Sequence, residues 1–315
     1  MTTITAKIVL DSISEEGKRL TTVHMHYPRA IHAELMTHRV FSRNARSSRA
    51  VPVSKIIQEV LDDPFIPLVW GKNQKGMRAS EECNELIDMK EVLELWDEAE
   101  NRYFENEEAW LYARDQVVGV AEGFVKAGYH KQIVNRLLEP WAHIDTLVTS
   151  TEWDNFFGLR CHEAAEPHME MLANATYYAM EASTPKLLKF GQWHLPYIKI
   201  EDYDKIEEKF DFIDGWKGRY EDFLPYVKKI STARCARISY EPFDGDGSIE
   251  AELKRYDLLV GSAPVHASPA EHQATPDFKI NGMDVWAHPQ YHKNFIGWMQ
   301  HRAFIPNECI LKYVV

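Results

Sequence analysis

The sequence lacks the patterns that mark disulfide-linked, zinc-bound, secreted and membrane-spanning proteins. The four cysteines, Cys83, Cys161, Cys235 and Cys309, lie far apart and form no Cys-x-x-Cys pair, so we expect reduced thiols. No apolar run approaches the ~20 residues that cross a bilayer. The N-terminal residues show no basic start followed by an apolar core, which argues against a secretory signal. These absences predict a cytoplasmic protein without a membrane partner.

Signatures of several common enzyme classes are also missing. No Gly-x-Gly-x-x-Gly follows a predicted strand, and neither His-Glu-x-x-His nor Gly-x-Ser-x-Gly occurs. Residues 71–78 have the glycine spacing of a P-loop, but Met77 stands where the phosphate-binding lysine is required. His24 and His26 share one face of a predicted strand and could recruit other histidines, but no carboxylate stands beside them at a ligand-like spacing. We therefore expect no Rossmann site, P-loop or metal centre.

The composition is typical of a folded globular protein. Of 315 residues, 45% are hydrophobic and 12% are aromatic, which excludes global disorder. At roughly 100–200 residues per domain, the length fits one large domain or two small ones. No Gly/Ser-rich linker, internal repeat or low-complexity segment divides the chain. We therefore expect a single domain over residues 1–315.

Hydrophobic periodicity predicts a mixture of strands and helices. Val23, Met25 and Tyr27 alternate with two histidines, which predicts a half-buried strand over 21–27. Apolar residues at helical spacing predict helices over 29–41, 54–63, 80–129, 131–138, 145–183 and 249–260. Pro167 is expected to mark a helix break or a helix start. Residues 228–240 are compatible with a helix or a strand, and residues 185–228 show no clear pattern.

A local basic stretch interrupts an acidic chain. The net charge of −12 disfavours nucleic acid as a partner, because such binding depends on a basic surface. Residues 35–58 nevertheless contain no Asp or Glu, where the chain average of 48 acids in 315 residues gives about four. The basic residues of this stretch are His38, Arg39, Arg43, Arg46, Arg49 and Lys55. With neighbouring serines and an asparagine, the arginines predict a site for a small anion such as a phosphate.

At these residues the sequence resembles the flavin-dependent thymidylate synthases. Their signature is Arg-His-Arg, seven residues, then Ser. Residues 37–39 read Thr-His-Arg, and after seven residues 47–49 read Ser-Ser-Arg. Ser42 and Asn44 match further positions of the same motif, and Glu34 stands at the position of a substrate-contacting Gln.

Two later blocks resemble other parts of the same family. Residues 136–140 (Arg-Leu-Leu-Glu-Pro) and 155–160 (Asn-Phe-Phe-Gly-Leu-Arg) match segments that contact the nucleotide, the flavin and the uracil ring. Residues 236–240 (Ala-Arg-Ile-Ser-Tyr) and 266–272 (His-Ala-Ser-Pro-Ala-Glu-His) match a block that holds FAD. In compact members of the family this third block comes first. The order here indicates a circular permutation, which is tolerated when the termini lie close together at the surface.

The resemblance implies a fold, an activity and an assembly. The implied fold is α/β (α+β), a mixed β-sheet with flanking helices, here with helical insertions near 55–130 and 185–230. The implied activity is conversion of dUMP to dTMP, in which FAD reduced by NADPH supplies hydride and 5,10-methylenetetrahydrofolate supplies the carbon. The implied assembly is a homotetramer whose subunits share their sites. None of the four cysteines is needed as a nucleophile.

The resemblance also implies the residues of the site. Arg160 is expected to stabilise negative charge on the pyrimidine, and Ser47 is placed with it in the catalytic set. The expected substrate-binding residues are Glu34, Ser47, Ser48, Arg49, Arg136 and Arg160. The expected FAD-binding residues are His38, Arg39, Val40, Asn155, Leu159, Ser239, His266, Ser268 and Glu271. Leu159 is expected in the core in any case.

The chain departs from the family pattern at several positions. Thr37 replaces the first Arg of the signature, Ala45 replaces an acid, and residues 149–151 (Thr-Ser-Thr) replace Asn-Ala-Arg. A flavin-side histidine would fall near Ala164, where His162 or His168 is the nearest substitute.

Three alternatives to the thymidylate synthase activity stay open, the first two because of these departures. The carboxylate of Glu34 accepts hydrogen bonds where an amide also donates, so the enzyme could methylate or hydroxymethylate another pyrimidine nucleotide, such as dCMP. The departures at 37, 45 and 149–151 are compatible with a nucleotide-binding module without catalysis. A metal-dependent hydrolase built on the histidine-rich strands is the third.

Overall fold

The structure is a computed structural model that describes residues 2–76, 78–94, 102–209, 220–238, 246–281 and 283–309. The strands are β1 Thr5–Ser14, β2 Arg19–Pro28, β3 Ser42–Ala45, β4 Ile87–Asp88, β5 Tyr103–Phe104, β6 His143–Ser150, β7 Lys186–Leu188, β8 Ala274–Pro276 and β9 Trp298–Gln300. The helices are α1 His32–Leu35, α2 Val53–Asp62, α3 Lys90–Leu93, α4 Asn106–Lys126, α5 Lys131–Leu137, α6 Asp154–Arg160, α7 Pro167–Glu181, α8 Ile200–Lys209, α9 Tyr220–Ala236 and α10 Ile249–Leu259.

The central sheet is mixed, with strand order β3-β6-β2-β1-β7. Its neighbouring strands are antiparallel except for β1 and β7, which run parallel. On β2, Val23 pairs with Val148 and Tyr27 pairs with Ile144, so these side chains lie on one face and are buried. This confirms the strand predicted over 21–27 and the expected fold class, a mixed sheet with flanking helices.

Helices cover both faces of the sheet. On the first face, Val23, Met25 and Tyr27 pack with α6 and α7 through buried residues that include Phe156 and Leu172. On the opposite face, Leu147 packs with Cys235 and Ile238 at the end of α9. Helices from distant parts of the sequence therefore pack against the same strands, β1, β2 and β6.

Two further apolar clusters lie in the regions predicted as helical insertions. Val60 of α2, Val118 of α4 and Val134 of α5 belong to the first cluster. Ile206 of α8 and Val227 of α9 belong to the second, with residues of α10. No helix within the described residues has the length and apolarity needed to cross a bilayer.

Several predicted helices are present, and two begin or end at the wrong residue. The helices expected over 54–63, 131–138 and 249–260 correspond to α2, α5 and α10, and Pro167 starts α7. The helix expected over 29–41 ends at Leu35, since the Thr37 hydroxyl donates to the Glu34 carbonyl at 2.7 Å and the chain turns. The helix expected over 145–183 begins instead as strand β6, whose β-branched residues favour a sheet.

The remaining expectations are met in part. Within 80–129, the long helix α4 covers Asn106–Lys126, while the described residues before it, 80–94 and 102–105, contain only the short elements β4, α3 and β5. Residues 95–101 of this predicted helix lie outside the described residues. The ambiguous segment 228–240 is helical as far as Ala236.

Candidate functional site

An open cavity of about 210 Å³ lies beside the loop that follows β3. Four of the residues expected to bind substrate line it: Ser47, Ser48, Arg49 and Arg136. Arg29, His32 and Arg46 also line it, although no motif predicts them as substrate-binding residues. The structure therefore brings the first and second motif blocks together around one cationic cavity.

Strand β3 and helix α5 hold the residues of this cavity in place. The Arg46 N–H donates to the Asp145 carbonyl at 2.8 Å, which fixes the chain where β3 ends. The Asn135 amide, one residue before Arg136, donates to the carbonyls of Ser48 at 2.7 Å and Val51 at 3.0 Å. Asn135 is buried, so these bonds fix the serine loop against α5.

The arginines of the cavity differ in how their charge is balanced. Arg46 forms a two-pronged contact with Glu59 at 3.0 and 2.8 Å, and Arg29 lies 3.1 Å from Glu139. The basic stretch is thus partly neutralised by an acid one position beyond it, contrary to the expectation from its composition. Arg49 and Arg136 are exposed, and neither forms an ion pair with a described residue. These two cations are available to an anionic ligand.

The end of α6 meets the end of α1 through Arg160. Its Nη1 donates to Glu34 Oε2 at 2.7 Å, and its Nε donates to His38 Nε2 at 3.2 Å. Its Nη2 lies 3.4 Å from the Thr37 hydroxyl. Three residues singled out from the sequence, Glu34, His38 and Arg160, therefore form one hydrogen-bonded group.

His38 is buried within this group and favours its neutral form. Burial lowers its pKa below the ordinary value, and the positive charges of Arg160 and Arg43 lower the pKa further. The ring stacks against Phe41 and meets the edge of Phe156. A neutral imidazole can accept the Arg160 Nε–H, so Glu34 is the group that balances the Arg160 charge.

The residues expected to bind FAD lie mainly on exposed surfaces. Asn155 is exposed on α6, and Leu159, expected in the core, is 56% exposed one turn later on the same face. Leu159 is exposed because Phe156 and Trp153 provide the buried side of this helix. Arg39 and Val40 are exposed at the turn after α1.

The third motif block lies beside the first in space. His266 and Ser268 are exposed, Glu271 forms an ion pair with Arg302, and Ser239 lies outside the described residues. Gln300 donates to the Glu271 carbonyl at 3.0 Å and to the Ser42 hydroxyl at 3.1 Å.

Two side-chain amides make further connections between the first block and distant parts of the chain. The Asn44 amide donates to the Cys235 carbonyl at 3.2 Å. Asn294 donates to the carbonyl of Val40 at 2.9 Å. Asn294 and Gln300 lie in a segment with no recognisable motif, so no sequence signal marks them.

The proposed substitutes for the missing flavin-side histidine have local partners. The buried His168 ring contacts Glu166 at 2.6 Å and accepts the Leu68 N–H at 3.1 Å, which commits both of its ring nitrogens. His162 is exposed and its Nδ1 accepts the Ala164 N–H at 3.0 Å. His162 therefore keeps one ring nitrogen for other contacts, whereas His168 belongs to the packing of α7.

The histidines of β2 do not form the grouping considered from the sequence. His24 and His26 both contact Asp145 Oδ1, at 3.1 and 3.0 Å. The ligand-type atoms of His26, Asp63 and His143 lie within 4.8 Å of one another. The His26 and His143 rings are stacked 4.9 Å apart at 12°, however, and parallel rings cannot both aim a nitrogen at one ion.

Part of this chain is similar to a known protein family. The family model described as thymidylate synthase complementing protein matches residues 19–186, which include the first two motif blocks. No curated protein matches the chain.

Similar solved structures include two of one enzyme and one of another. The UMP/dUMP methylase PolB from Streptomyces cacaoi bound with 5-Br dUMP is 14% identical, with 57% of this chain and 90% of that chain covered and a TM-score of 0.39. The same enzyme with 5-Br UMP is 14% identical, with 58% and 95% covered and a TM-score of 0.37. Thymidylate synthase X from Helicobacter pylori with FAD and dUMP is 17% identical, with 51% and 67% covered and a TM-score of 0.32.

Proposed function

Because this chain belongs to the flavin-dependent thymidylate synthase family, we propose that it converts dUMP to dTMP. The observation that carries the proposal is the single cavity shared by the Ser47–Ser48 loop and Arg136. A nucleotide monophosphate needs both a cationic phosphate site and a polar contact for its base. The open cavity supplies the cationic site, and the group formed by Arg160, Glu34 and His38 supplies the polar contact.

The phosphate is assigned to the open cavity. Arg49 and Arg136 supply charge that no described acid neutralises, and the hydroxyls of Ser47 and Ser48 supply further donors. Guanidinium groups match phosphate oxygens in pairs, so a dianion is a suitable ligand. Arg29 and Arg46 add positive potential but are partly balanced by Glu139 and Glu59.

The pyrimidine ring is assigned to the Arg160 group. Arg160 can donate to a ring oxygen and stabilise the negative charge that the ring carries while C5 is the nucleophile, before C5 bonds to the one-carbon unit. Glu34 holds the guanidinium in place at 2.7 Å, and it can accept from the ring N3–H. The neutral His38 orients Arg160 without adding a second positive charge.

The residues expected to bind FAD fit that group chemically. Leu159 and Val40 offer exposed apolar surface for a flat ring system, and Asn155 and Ser268 offer uncharged hydrogen-bonding groups. Bound FAD, recharged by NADPH, would supply the hydride, while methylenetetrahydrofolate would supply the carbon. The hydrogen bonds of Asn294 and Gln300 orient the turn that carries Val40 and the backbone at Glu271.

A cytosine nucleotide is the second candidate substrate. The Glu34 carboxylate can accept from the cytosine N4 amino group while Arg160 donates to N3. Uracil presents the reverse order, with N3–H as donor and O4 as acceptor, and the same pair can satisfy it. The ion pair of Glu34 and Arg160 can therefore bind uracil or cytosine, and comparison of dUMP with dCMP selects between the two bases.

The remaining properties follow the family. We propose a cytoplasmic homotetramer with shared sites, a single domain per chain and no nucleic-acid partner. The exposed apolar side chains Leu159, Met171 and Tyr178 on α6 and α7 support burial of this face by another subunit or by FAD.

The test is a visible absorption spectrum of the purified protein, recorded anaerobically before and after NADPH and then with dUMP or dCMP. We expect a flavin spectrum that bleaches with NADPH, and dTMP as product when methylenetetrahydrofolate is added. Product from dCMP alone would select the second candidate. A protein that binds no FAD, even when it is supplied, would refute the proposal and favour a nucleotide-binding module without catalysis.

A further inference from the structure

A second, smaller cavity lies next to the open cavity. Three of its lining residues each have one polar side-chain atom without a hydrogen-bond partner among the described residues. Its volume is about 20 Å³, and its lining includes Arg46, Asn135 and His143. The atoms Arg46 Nε, Asn135 Oδ1 and His143 Nε2 are buried and have no hydrogen-bond partner among the described residues. The side chains of Arg46 and His143 are 9% and 6% exposed, and Asn135 is 1% exposed. Such atoms are costly to bury without a partner.

The chemistry of the three atoms specifies what could pair with them. Both Nη atoms of Arg46 donate to Glu59, so Nε is its one nitrogen without a partner among the described residues, and its N–H is a free donor. The Asn135 amide nitrogen donates to two carbonyls, so its Oδ1 is the acceptor that remains.

His143 provides the second acceptor. Burial lowers its pKa to about 4, so the ring is neutral near pH 7. Nδ1 lies 4.0 Å from the Asp63 carboxylate, whose negative charge favours the proton on that nitrogen. With the proton on Nδ1, Nε2 presents a lone pair.

We propose that one buried water molecule occupies this cavity and connects Arg46, Asn135 and His143. The partner must accept one hydrogen bond and donate two, which water does. The volume fits a single water, and three bonds are the usual number for a buried one. A metal cation cannot accept the Arg46 donor, and an anion such as chloride cannot donate to the two acceptors.

The water gives Asn135 and Arg46 a role as positioning residues. Asn135 holds the carbonyls of Ser48 and Val51 directly, and through the water it also holds the guanidinium of Arg46. Arg46 precedes Ser47, so the loop is anchored to α5 on both sides of its serines. The presence of the water is independent of the proposed function, whereas its effect on nucleotide binding rests on it.

A crystal structure of the unaltered protein tests the water itself. We expect one density peak about 2.7–3.2 Å from each of the three atoms. A peak about 2.0–2.2 Å from His143 Nε2, with an anomalous signal, would identify a metal and overturn the proposal. An empty cavity, or a side chain rotated so that the atoms pair with each other, would also overturn it.

Two variants test the positioning role. His143→Leu removes the acceptor, whereas His143→Gln supplies an amide oxygen near the same place. We expect His143→Leu to bind dUMP about fivefold more weakly, His143→Gln to restore most of the affinity, and both to bind deoxyuridine, which lacks the phosphate, as the unaltered protein does. Unchanged dUMP affinity in a folded His143→Leu protein would overturn the positioning role.

Inorganic phosphate serves as a second probe, because its binding tests the positioning role even if the proposed function is wrong. If the unaltered protein binds phosphate but not dUMP, the proposed function fails, and the His143 variants are then compared with phosphate. If His143→Leu does not fold, the crystal structure of the unaltered protein decides the proposal.

Discussion

Replacement of one arginine of the open cavity should lower the affinity for the nucleotide phosphate. Arg136 is exposed on α5, lines the cavity and forms no ion pair with a described residue. The change Arg136→Gln removes its charge and keeps a polar side chain of similar length. Because the residue is exposed, we expect the free energy of unfolding to change by less than about 0.5 kcal/mol.

The expected loss follows from the contacts that the guanidinium can make. A hydrogen bond to a charged group contributes about 1.5–3 kcal/mol, and an open, exposed site favours the lower value. About 1.5 kcal/mol corresponds to roughly a tenfold rise in Kd for dUMP. Added salt should reduce the difference, because it screens exposed charges.

Titration calorimetry with dUMP and with deoxyuridine measures this effect. Lys126→Gln is the matched control, since Lys126 is exposed at the end of α4 and the variant loses the same charge. We expect Lys126→Gln to bind dUMP normally and Arg136→Gln to bind deoxyuridine normally. Equal dUMP affinity in both variants, or equal loss for dUMP and deoxyuridine, would refute the assignment of the phosphate to this cavity.

Three further predictions concern the site and the stability of the fold. Arg160→Lys keeps the charge but loses the planar contact with Glu34, so kcat with dUMP should fall about 100-fold or more, and an unchanged kcat would contradict the assigned role. Asp202→Asn breaks a buried two-pronged contact with Arg234 and should lower the free energy of unfolding by about 3–5 kcal/mol, measured in urea. Burial raises the pKa of Asp202, but the hydrogen bonds it accepts lower the pKa overall, so this stabilisation is present above the ordinary carboxyl pKa and is lost as the pH falls through the folded value. Leu172→Ala, at a fully buried position of α7, should cost about 2–5 kcal/mol, and a loss below about 1 kcal/mol would indicate that the core relaxes around it.

Sequence patterns predicted the elements whose packing is one-sided. Strand β2 alternates because one face meets α6 and α7 and the other carries polar residues, so its period of two is visible. Strand β6 lies between β3 and β2 and is buried on both faces, so its sequence shows no alternation, and hydrophobic periodicity predicts it as part of a helix.

The candidate site was predictable where charge or motif spacing marked it. The absence of acids in 35–58 pointed to the cavity, and the motif spacing pointed to Arg136 and Arg160. Asn135 could not be found this way, because its role depends on two backbone carbonyls that only the folded chain brings near. Leu159 was misplaced because hydrophobicity alone does not say which side of a short helix is covered.

Two contacts between the first motif block and distant parts of the chain end on main-chain oxygens. Asn44 reaches the carbonyl of Cys235, and Asn294 reaches the carbonyl of Val40. A carbonyl is the same group in every residue type, so drift at positions 235 and 40 leaves these bonds intact while drift at 44 or 294 breaks them. Selection can therefore act on one side of each contact only, and two chains can hold the same arrangement with few identical residues between them.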